Sequence, residues 1–401
     1  MKLAYITNAR IPSERANSVQ TAQMCAAFAS AGAQVTLYHP RRRNLPEFSQ
    51  TDLWAYYGLP RSFEQKLIPC LDWFHLSAGR LWLERPVFLI QTLSFALALL
   101  VTLFRSPPDA YYSRDPFVVA LLVLALPGAR QKILFEAHTL PQSKLGRAFR
   151  KWTLAQARGT VTISHALERA YVQLGLTPQT VTTAPDGVDL NHFKPNRSKA
   201  EARAQLQLPP DQKLIVYTGG LYRGRGLEEL IGAVRDLANT TLVIVGGKVP
   251  KETERLQTLA RSLGVNNLCF EGHRAPTEIP NYLAAADILA MPYSKQTHSP
   301  AGVTTDWMSP LKMFEYLAAG RAIIASDLPA LREVLIHDQN AWLVEPDSAA
   351  ALATGLKHLT ADPSLCDRLS IQARLTAENF SWENRARFIL SLFNHFSEWR
   401  V

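Results

Sequence analysis

The sequence predicts an α/β protein of two Rossmann-like parallel-sheet domains facing across a cleft, with a C-terminal helix crossing back to the first domain. Three observations support this. The chain has 401 residues, and domains usually run to about 100–200. Short, continuously apolar strands alternate with helix-period segments, the pattern of parallel sheets covered on both faces. The alternation breaks once, at the polar, proline-bounded stretch FKPNRSKAEARAQLQLPP, and then restarts. The expected boundaries are therefore 1–196 for the first domain, 197–380 for the second and 381–401 for the returning helix.

In the first half, strands are expected at Leu3–Thr7, Gln34–Tyr38, Ala110–Ser113, Lys132–Glu136, Thr160–Ile163 and Thr180–Thr183. Helical periodicity marks Val19–Ala31, Val87–Phe104, Pro116–Leu126 and His165–Leu174. The segment Pro40–Pro86, with Arg41-Arg42-Arg43, several prolines and aromatics, reads as an irregular surface insertion. Beyond the break, strands are expected at Leu214–Thr218, Thr241–Val245, Leu268–Phe270, Ile288–Met291, Ile323–Ala325 and Trp342–Val344. The carboxyl ends of such strands open into the crevice where ligands bind. The last helix, Trp382–Trp399, carries Phe388, Leu390, Leu392, Phe393 and Phe396, an apolar set suited to the crossing.

With 47% hydrophobic and 19% charged residues the chain can bury two cores, which excludes disordered and collagen-like classes. The net charge of +9 lies wholly in the first half: 21 Lys+Arg face 12 Asp+Glu through Asn196, and 22 face 22 after it. A basic first domain, with Lys144, Arg147, Arg150 and Lys151 beside the arginine run, suits an anionic membrane surface, a lipid-linked diphosphate or an acidic polysaccharide precursor. A merely solvated basic surface is the plain alternative. No aromatic-interleaved strip or reading motif accompanies the charge, so nucleic acid is not an expected partner. Cys25, Cys70, Cys269 and Cys366 are scattered without metal spacing, which fits a reducing compartment. The opening MKLAYITNAR has too short an apolar run for a signal peptide and reads as a strand. A cytoplasmic location is expected, with one segment leaving a place on the inner membrane face open. Val87–Phe104 approaches spanning length between Arg85 and Arg105. Its Gln91, Thr92, Ser94 and Thr102 leave three readings: a buried core helix, a helix docked in the membrane interface, or a span.

Four motifs carry candidate chemistry. In SPLKMFEYLAAG, residues 309–320, Ser309 suits an N-cap, Pro310 the first helical position and Gly320 the stop. Free N–H groups at Leu311 and Lys312, with the lysine's charge, make the helix tip a phosphate site. Glu315 sits about 6 Å further along the axis, placed to accept hydrogen bonds from ribose hydroxyls. A well-capped helix with a surface glutamate is the alternative. In TGGLYRGRGL, residues 218–227, Gly219 and Gly220 permit close backbone approach, and Arg223 and Arg225 suit a diphosphate. Glu229 occupies the third glycine position of a dinucleotide fingerprint, and no Walker lysine follows; a structural turn fits as well. His138, in FEAHT, ends a strand where it would face the cleft and hydrogen-bond a sugar hydroxyl or phosphate, or serve structure. The turn APDGVD, residues 184–189, is explained by turn chemistry alone.

Together and in this order, the segments resemble the retaining nucleotide-sugar glycosyltransferases of the glycosyl transferases group 1 family (family four), which have the GT-B fold. PDGVDLNHFKP is similar to that family's N-G-V-D-x-x-x-F-x-P turn, and YTGGLYRGRGLEELI to its G-R-L-x-x-x-K-G-x-x-x-L-I loop. SPLKMFEYLAAGRAIIASDLP is similar to its donor-site helix and following strand, and FSWENRARFIL to its final crossing helix. The resemblance implies transfer of a sugar from a nucleoside diphosphate to an acceptor hydroxyl with retention, in polysaccharide, lipopolysaccharide or glycolipid biosynthesis. It implies that Glu315 binds the donor ribose and that Leu311 and Lys312 hold the phosphate, with Ser309, Gly219 and Gly220 beside them. Arg225 would pair with the diphosphate, and His138 would touch the donor sugar near the reacting carbon. Gly220 stands at the family's arginine position, with Arg223 as its substitute. Trp307 stands at the family's first glutamate; Asp306, one residue out of register, becomes the third catalytic candidate. Asp186 replaces the usual asparagine. Arg15-Ala16-Asn17-Ser18 replaces the N-terminal Gly-Gly loop, making Arg15, Asn17 and Ser18 the acceptor-side candidates.

No D-x-D motif occurs in the chain, so neither a metal nor a further cofactor is expected beside the nucleotide sugar. Fixed N–H dipoles and arginines would stabilise the leaving diphosphate instead. The tryptophan at the first glutamate position supports a second reading, a catalytically inactive GT-B subunit that binds a nucleotide sugar or a partner enzyme. An epimerase of similar architecture is a third. Base and sugar selectivity would rest on contacts near Gly272-His273-Arg274.

Overall fold

A computed structural model describes residues 1–77, 80–193, 197–296, 298–299, 302–303 and 305–395. Asn196, Phe396 and Trp399, named in the expected boundary and last helix, lie outside the described residues. The chain divides into two compact units: Met1–Pro185 with the helix that begins at Trp382, and Asp186–Ser381.

The first unit holds seven strands: β1 (Lys2–Ile6), β2 (Gln34–Pro40), β3 (Glu64–Ile68), β4 (Ala110–Ser113), β5 (Ile133–Ala137), β6 (Gly159–Thr162) and β7 (Val181–Thr183). They form one parallel sheet in the order β3-β2-β1-β4-β5-β6-β7. The inner strands β4, β5 and β6 are buried along their whole length, including the polar Ser113, Glu136, Thr160 and Thr162 that interrupt their apolar sequence. β3 lies in the segment read as irregular. It is an edge strand with a single buried residue, Ile68, so no apolar alternation announces it. A helix at Lys144–Ala155 was also not foreseen. Ser143 caps it by accepting from the Gly146 N–H at 3.1 Å. Its Arg150 is buried and donates to the Tyr171 hydroxyl at 2.5 Å, so this charge belongs to the core and not to the basic surface.

Sheet order reverses between β1 and β4, so right-handed crossovers send the Ala16–Ser30 helix to one face and the Pro116–Ala125 and Lys144–Ala155 helices to the other. The closing helix, Trp382–His395, packs on Ala16–Ser30. Its buried face is Trp382, Arg385, Ala386, Ile389 and Leu392, at helical spacing, while Phe388 points to solvent. That stripe includes a buried arginine, Arg385.

The second unit has β8 (Lys213–Thr218), β9 (Thr240–Val245), β10 (Leu268–Gly272) and β11 (Ile288–Met291), a small antiparallel hairpin of β12 (His298–Ser299) and β13 (Gly302–Val303), then β14 (Ala322–Ser326) and β15 (Trp342–Val344). The parallel sheet runs β10-β9-β8-β11-β14-β15, reversing between β8 and β11. At such a reversal neighbouring connections leave in opposite directions and open a crevice beyond the carboxyl ends. The glycine-rich loop follows β8 and Pro292-Tyr293 follow β11, so both border this crevice. Gly226 locks the two loops together: its φ is +68°, and a Cβ there would lie 1.5 Å from the Pro292 carbonyl oxygen. Gly226→Ala is expected to lower the thermal unfolding midpoint by more than ~5 °C, measured by circular dichroism; an unchanged midpoint would contradict this close approach.

Candidate functional site

At the end of β8 the chain must turn tightly past its neighbours. The Thr218 N–H donates to the Tyr316 hydroxyl at 2.9 Å, tying the strand to the helix Leu311–Ala319. The Gly219 N–H donates to the Val245 carbonyl at 2.9 Å. A Cβ on Gly219, whose φ is +124°, would meet Lys312 Nζ at 3.0 Å. The Tyr217 hydroxyl donates to the Gly220 carbonyl at 2.7 Å. The glycine loop and the helix start are thus in contact because side chains are missing where they meet.

Two cations occupy this corner, each laid on aromatic faces. The Arg225 guanidinium lies 4.3 Å from the Tyr222 ring centroid and 4.8 Å from that of Tyr293. Lys312 Nζ lies 3.8 Å from the Tyr217 centroid and 5.4 Å from that of Tyr293. Both residues keep intermediate overall exposure, yet Lys312 Nζ and Arg225 Nε are themselves shielded from water and have no hydrogen-bond partner among the described residues. Burial, reinforced by the nearby Arg225 charge, pushes the Lys312 ammonium well below its ordinary range, with Glu315 pulling the other way. Burial also lifts Glu315 to about 7, opposed by Lys312. An enclosed donor without an acceptor is costly, and two adjacent cations are costlier. An anion delivered by a ligand would relieve both. Helix geometry adds the N–H groups of Leu311 and Lys312, which have no intrahelical partner and sit at the positive end of the dipole.

The helix start differs from expectation. Pro310, with φ −75° and ψ 129°, is the capping residue, and Leu311 is the first helical one. Ser309 is buried and does not cap; its hydroxyl accepts the Asp186 N–H at 3.1 Å. With no capping side chain, the tip's N–H groups stay available to a ligand.

In the first unit, His138 follows β5. Its Nε2 lies 2.5 Å from Glu136 Oε1. Glu136 is wholly buried and forms a hub. The Gln20 amide donates to it at 2.5 Å, the Tyr112 hydroxyl donates to Oε2, and Arg385 of the closing helix lies 3.4 Å away. Arg114 in turn donates to the Gln20 carbonyl oxygen at 3.0 Å. Burial opposes the Glu136 charge, but Arg385, then His138 and Arg114, outweigh it and hold the carboxyl well below the usual range. Arg385 also donates to the Ala184 and Pro185 carbonyls. Glu136 thus fixes the His138 ring, and Arg385 fixes Glu136.

Of the sequence candidates, Gly219, Gly220, Arg225, Leu311, Lys312 and Glu315 come together in the second unit. Arg223 is exposed on the same loop, and Asp306 is exposed on the turn before the helix. Arg15 is exposed at the start of the Ala16–Ser30 helix. Asn17 follows with its Oδ1 enclosed and without a hydrogen-bond partner among the described residues. Ser18 is buried, its hydroxyl shared with Ser13 at 2.7 Å and donated to the Arg10 carbonyl at 3.0 Å. Sequence reasoning missed Tyr217, Tyr222 and Tyr293 around the cations, and Glu136 and Arg385 behind His138. The tyrosines had a signal: each lies on or beside the carboxyl end of β8 or β11. Among the described residues, no cluster of three or more His, Cys, Asp or Glu is placed to hold a metal ion.

Comparison with known proteins places both units. Residues 198–376 match the family model Glycosyl transferases group 1, and residues 18–192 match Glycosyltransferase Family 4. The chain belongs to the group 1 glycosyltransferases and has their GT-B fold. It is 29% identical over 224 residues to a D-inositol 3-phosphate glycosyltransferase of Streptomyces bingchenggensis, covering 53% of this chain and 47% of the relative. It is 32% identical over 170 residues to the lipopolysaccharide core biosynthesis glycosyltransferase LpsD of Rhizobium meliloti, covering 42% and 45%. The matches span about half the length of these curated relatives. In fold it is similar to sucrose-phosphate synthase from Thermosynechococcus elongatus (TM-score 0.76, 20% identity, 99% of both chains). It is likewise similar to Anabaena HepE in complex with UDP (TM-score 0.75, 17% identity, 98% of this chain and 100% of that one).

Two expectations follow. A bound diphosphate favours the charged form of Lys312, so binding draws in a proton wherever the free protein's lysine is neutral. UDP affinity, measured by calorimetry, should fall as pH rises towards the ordinary lysine value of about 10.4, and Lys312→Met should flatten that fall. Glu136 has a depressed folded-state value, so its stabilisation is full above the ordinary glutamate range and drains as pH drops below about 4.3. Glu136→Gln should therefore lose stability at pH 7 and show a shallower acid limb in denaturant titrations; an unchanged acid limb would contradict the hub.

Proposed function

We propose that the chain transfers a sugar from a nucleoside-diphosphate donor to an acceptor hydroxyl with retention, without a metal, in polysaccharide, lipopolysaccharide or glycolipid biosynthesis. The observation that carries this reading is the pair Lys312 and Arg225, whose Nζ and Nε are enclosed without a hydrogen-bond partner among the described residues, at a helix tip with no capping side chain. Such a corner suits a diphosphate, with Glu315 one turn along to accept from the ribose hydroxyls. Family membership and the printed activities of the relatives support the reaction class, and the UDP bound to a protein of the same fold supports the ligand class.

In the proposed reaction the bond between the anomeric carbon and the leaving phosphate oxygen breaks as sugar and phosphate separate charge. Arg225, Lys312 and the Leu311 and Lys312 N–H groups stabilise the negative charge where it grows. The acceptor oxygen bonds to the anomeric carbon on the face the phosphate leaves, and its proton passes to the departing phosphate. His138, held by Glu136, is assigned to the donor sugar near the reacting carbon. The basic first unit is assigned to the acceptor side, on the inner face of a membrane. A second reading, a binding subunit without turnover, draws on Trp307 standing where the family carries a glutamate.

The test is a thermal-shift screen of UDP, GDP, ADP and their sugar conjugates, followed by product analysis with the best donor. A transferred or hydrolysed sugar with retained anomeric configuration by proton NMR, unaffected by EDTA, is the expected result. Arg225→Ala should cut turnover roughly a hundredfold, and Glu315→Ala should raise the donor KM about tenfold. Tight donor binding with neither transfer nor hydrolysis would favour the second reading, and unaltered turnover in Arg225→Ala would refute the leaving-group assignment.

A further inference from the structure

Exposed apolar side chains are unevenly spread over this molecule. Of the 23 large ones exposed among the described residues, 16 lie between Leu67 and Trp152, all in the first unit. Soluble monomers rarely expose contiguous apolar patches beyond a few hundred Å², so this concentration needs an explanation.

The long helix Leu81–Arg105 supplies half of these 16 side chains. Val87, Phe95, Leu99 and Leu103 form its buried face, and Trp82, Leu89, Leu93, Leu97, Val101 and Phe104 form an outward stripe. Trp82 is 74% exposed, Leu93 61% and Phe104 78%. At 1.5 Å per residue the helix is about 38 Å long, and the stripe runs along nearly all of it. Three of the polar residues that interrupt the run, Gln91, Thr92 and Ser94, bond to the rest of the first unit. The Gln91 amide donates to Asn8 Oδ1 at 2.9 Å, the Asn8 amide donates to Thr92 at 2.9 Å, and Ser94 accepts the Leu71 N–H at 2.9 Å. A membrane-spanning pose would break these bonds and strip the buried face from the sheet.

The patch continues sideways. The helix Pro116–Ala125 packs against the long helix, and Lys144–Ala155 packs against that one. They add exposed Phe117, Leu124, Leu145 and Trp152. The three helices carry six Lys and Arg and a single acid, Glu84. Arg150 is buried, but Arg85, Arg105, Lys144, Arg147 and Lys151 are exposed. Arg85 and Arg105 bracket the stripe near its two ends.

We propose that this three-helix face docks on an anionic lipid bilayer, with the Leu81–Arg105 helix lying in the membrane plane and its outward stripe among the upper acyl carbons. The charge distribution selects lipid over protein. Cations around an apolar strip meet phosphate headgroups while the strip meets hydrocarbon, and rim tryptophans suit the boundary between them. A second copy docked through the same face would bring two sets of five cations together. The proposal deepens the peripheral placement given above and does not depend on the transfer chemistry.

The test is flotation of the full chain with phosphatidylglycerol–phosphatidylcholine vesicles, pure phosphatidylcholine vesicles serving as control. Co-flotation with the anionic vesicles only, and release from cell membranes by alkaline carbonate, are expected. Leu93→Glu with Leu97→Glu should reduce vesicle binding more than about tenfold. Arg85→Gln, Arg105→Gln and Lys144→Gln should each reduce it about fivefold. Brominated acyl chains should quench tryptophan fluorescence in the unsubstituted protein, a readout independent of any variant's folding. UDP binding by the Leu93/Leu97 variant should be unchanged, so loss of docking and failure of the transfer reading are separable. The proposal is overturned by absence of flotation and quenching, by binding indifferent to lipid charge, by resistance to carbonate, or by a dimer that the Leu93/Leu97 variant turns into monomer.

Discussion

The enclosure of the Lys312 and Arg225 head groups beside tyrosine rings, with Lys312 Nζ and Arg225 Nε lacking a hydrogen-bond partner among the described residues, is the constraint on which the corner of the second unit depends. Cation–π contacts of Arg225 with Tyr222 and Tyr293, and of Lys312 with Tyr217 and Tyr293, offset part of the desolvation. They leave directional donors unsatisfied. Burial, with the nearby Arg225 charge, disfavours the charged form of Lys312. Under the proposed function, donors and dipoles held in this way would need little reorganisation on diphosphate binding or charge separation.

The surrounding fold serves that arrangement. Sheet reversal between β8 and β11 brings two strand ends to one crevice, and Gly219 and Gly226 let the loops press on the helix and on each other. Pro310 begins the helix without a capping side chain, leaving N–H groups for a ligand. In the first unit a different device is used. There a buried carboxylate, Glu136, is charged because Arg385 and His138 surround it, and the closing helix that brings Arg385 becomes part of how His138 is held.

Much of this was legible in the sequence where short-range rules apply. Apolar strands located nearly every sheet element, and glycines, arginines and a proline-led helix marked Gly219, Arg225, Lys312 and Glu315. The edge strand β3 was not legible, because a strand with one buried residue has no periodic signature. Ser309 was misread as a cap because its competing partner, the Asp186 N–H, is far away in sequence. Glu136 and Arg385 escaped for the same reason: an ion pair between β5 and the last helix leaves no local pattern. The polar residues of the long helix were visible, but only the bonds to Asn8 and Leu71 show which way they face.

A crystal structure of the chain with UDP tests the central claim most directly. The diphosphate is expected at the Leu311–Ala319 helix tip, with a phosphate oxygen within hydrogen-bond distance of Lys312 Nζ, the Arg225 guanidinium beside it, and the ribose hydroxyls on Glu315. A nucleotide bound elsewhere, with Lys312 still enclosed against Tyr217 and no anion in reach, would contradict it.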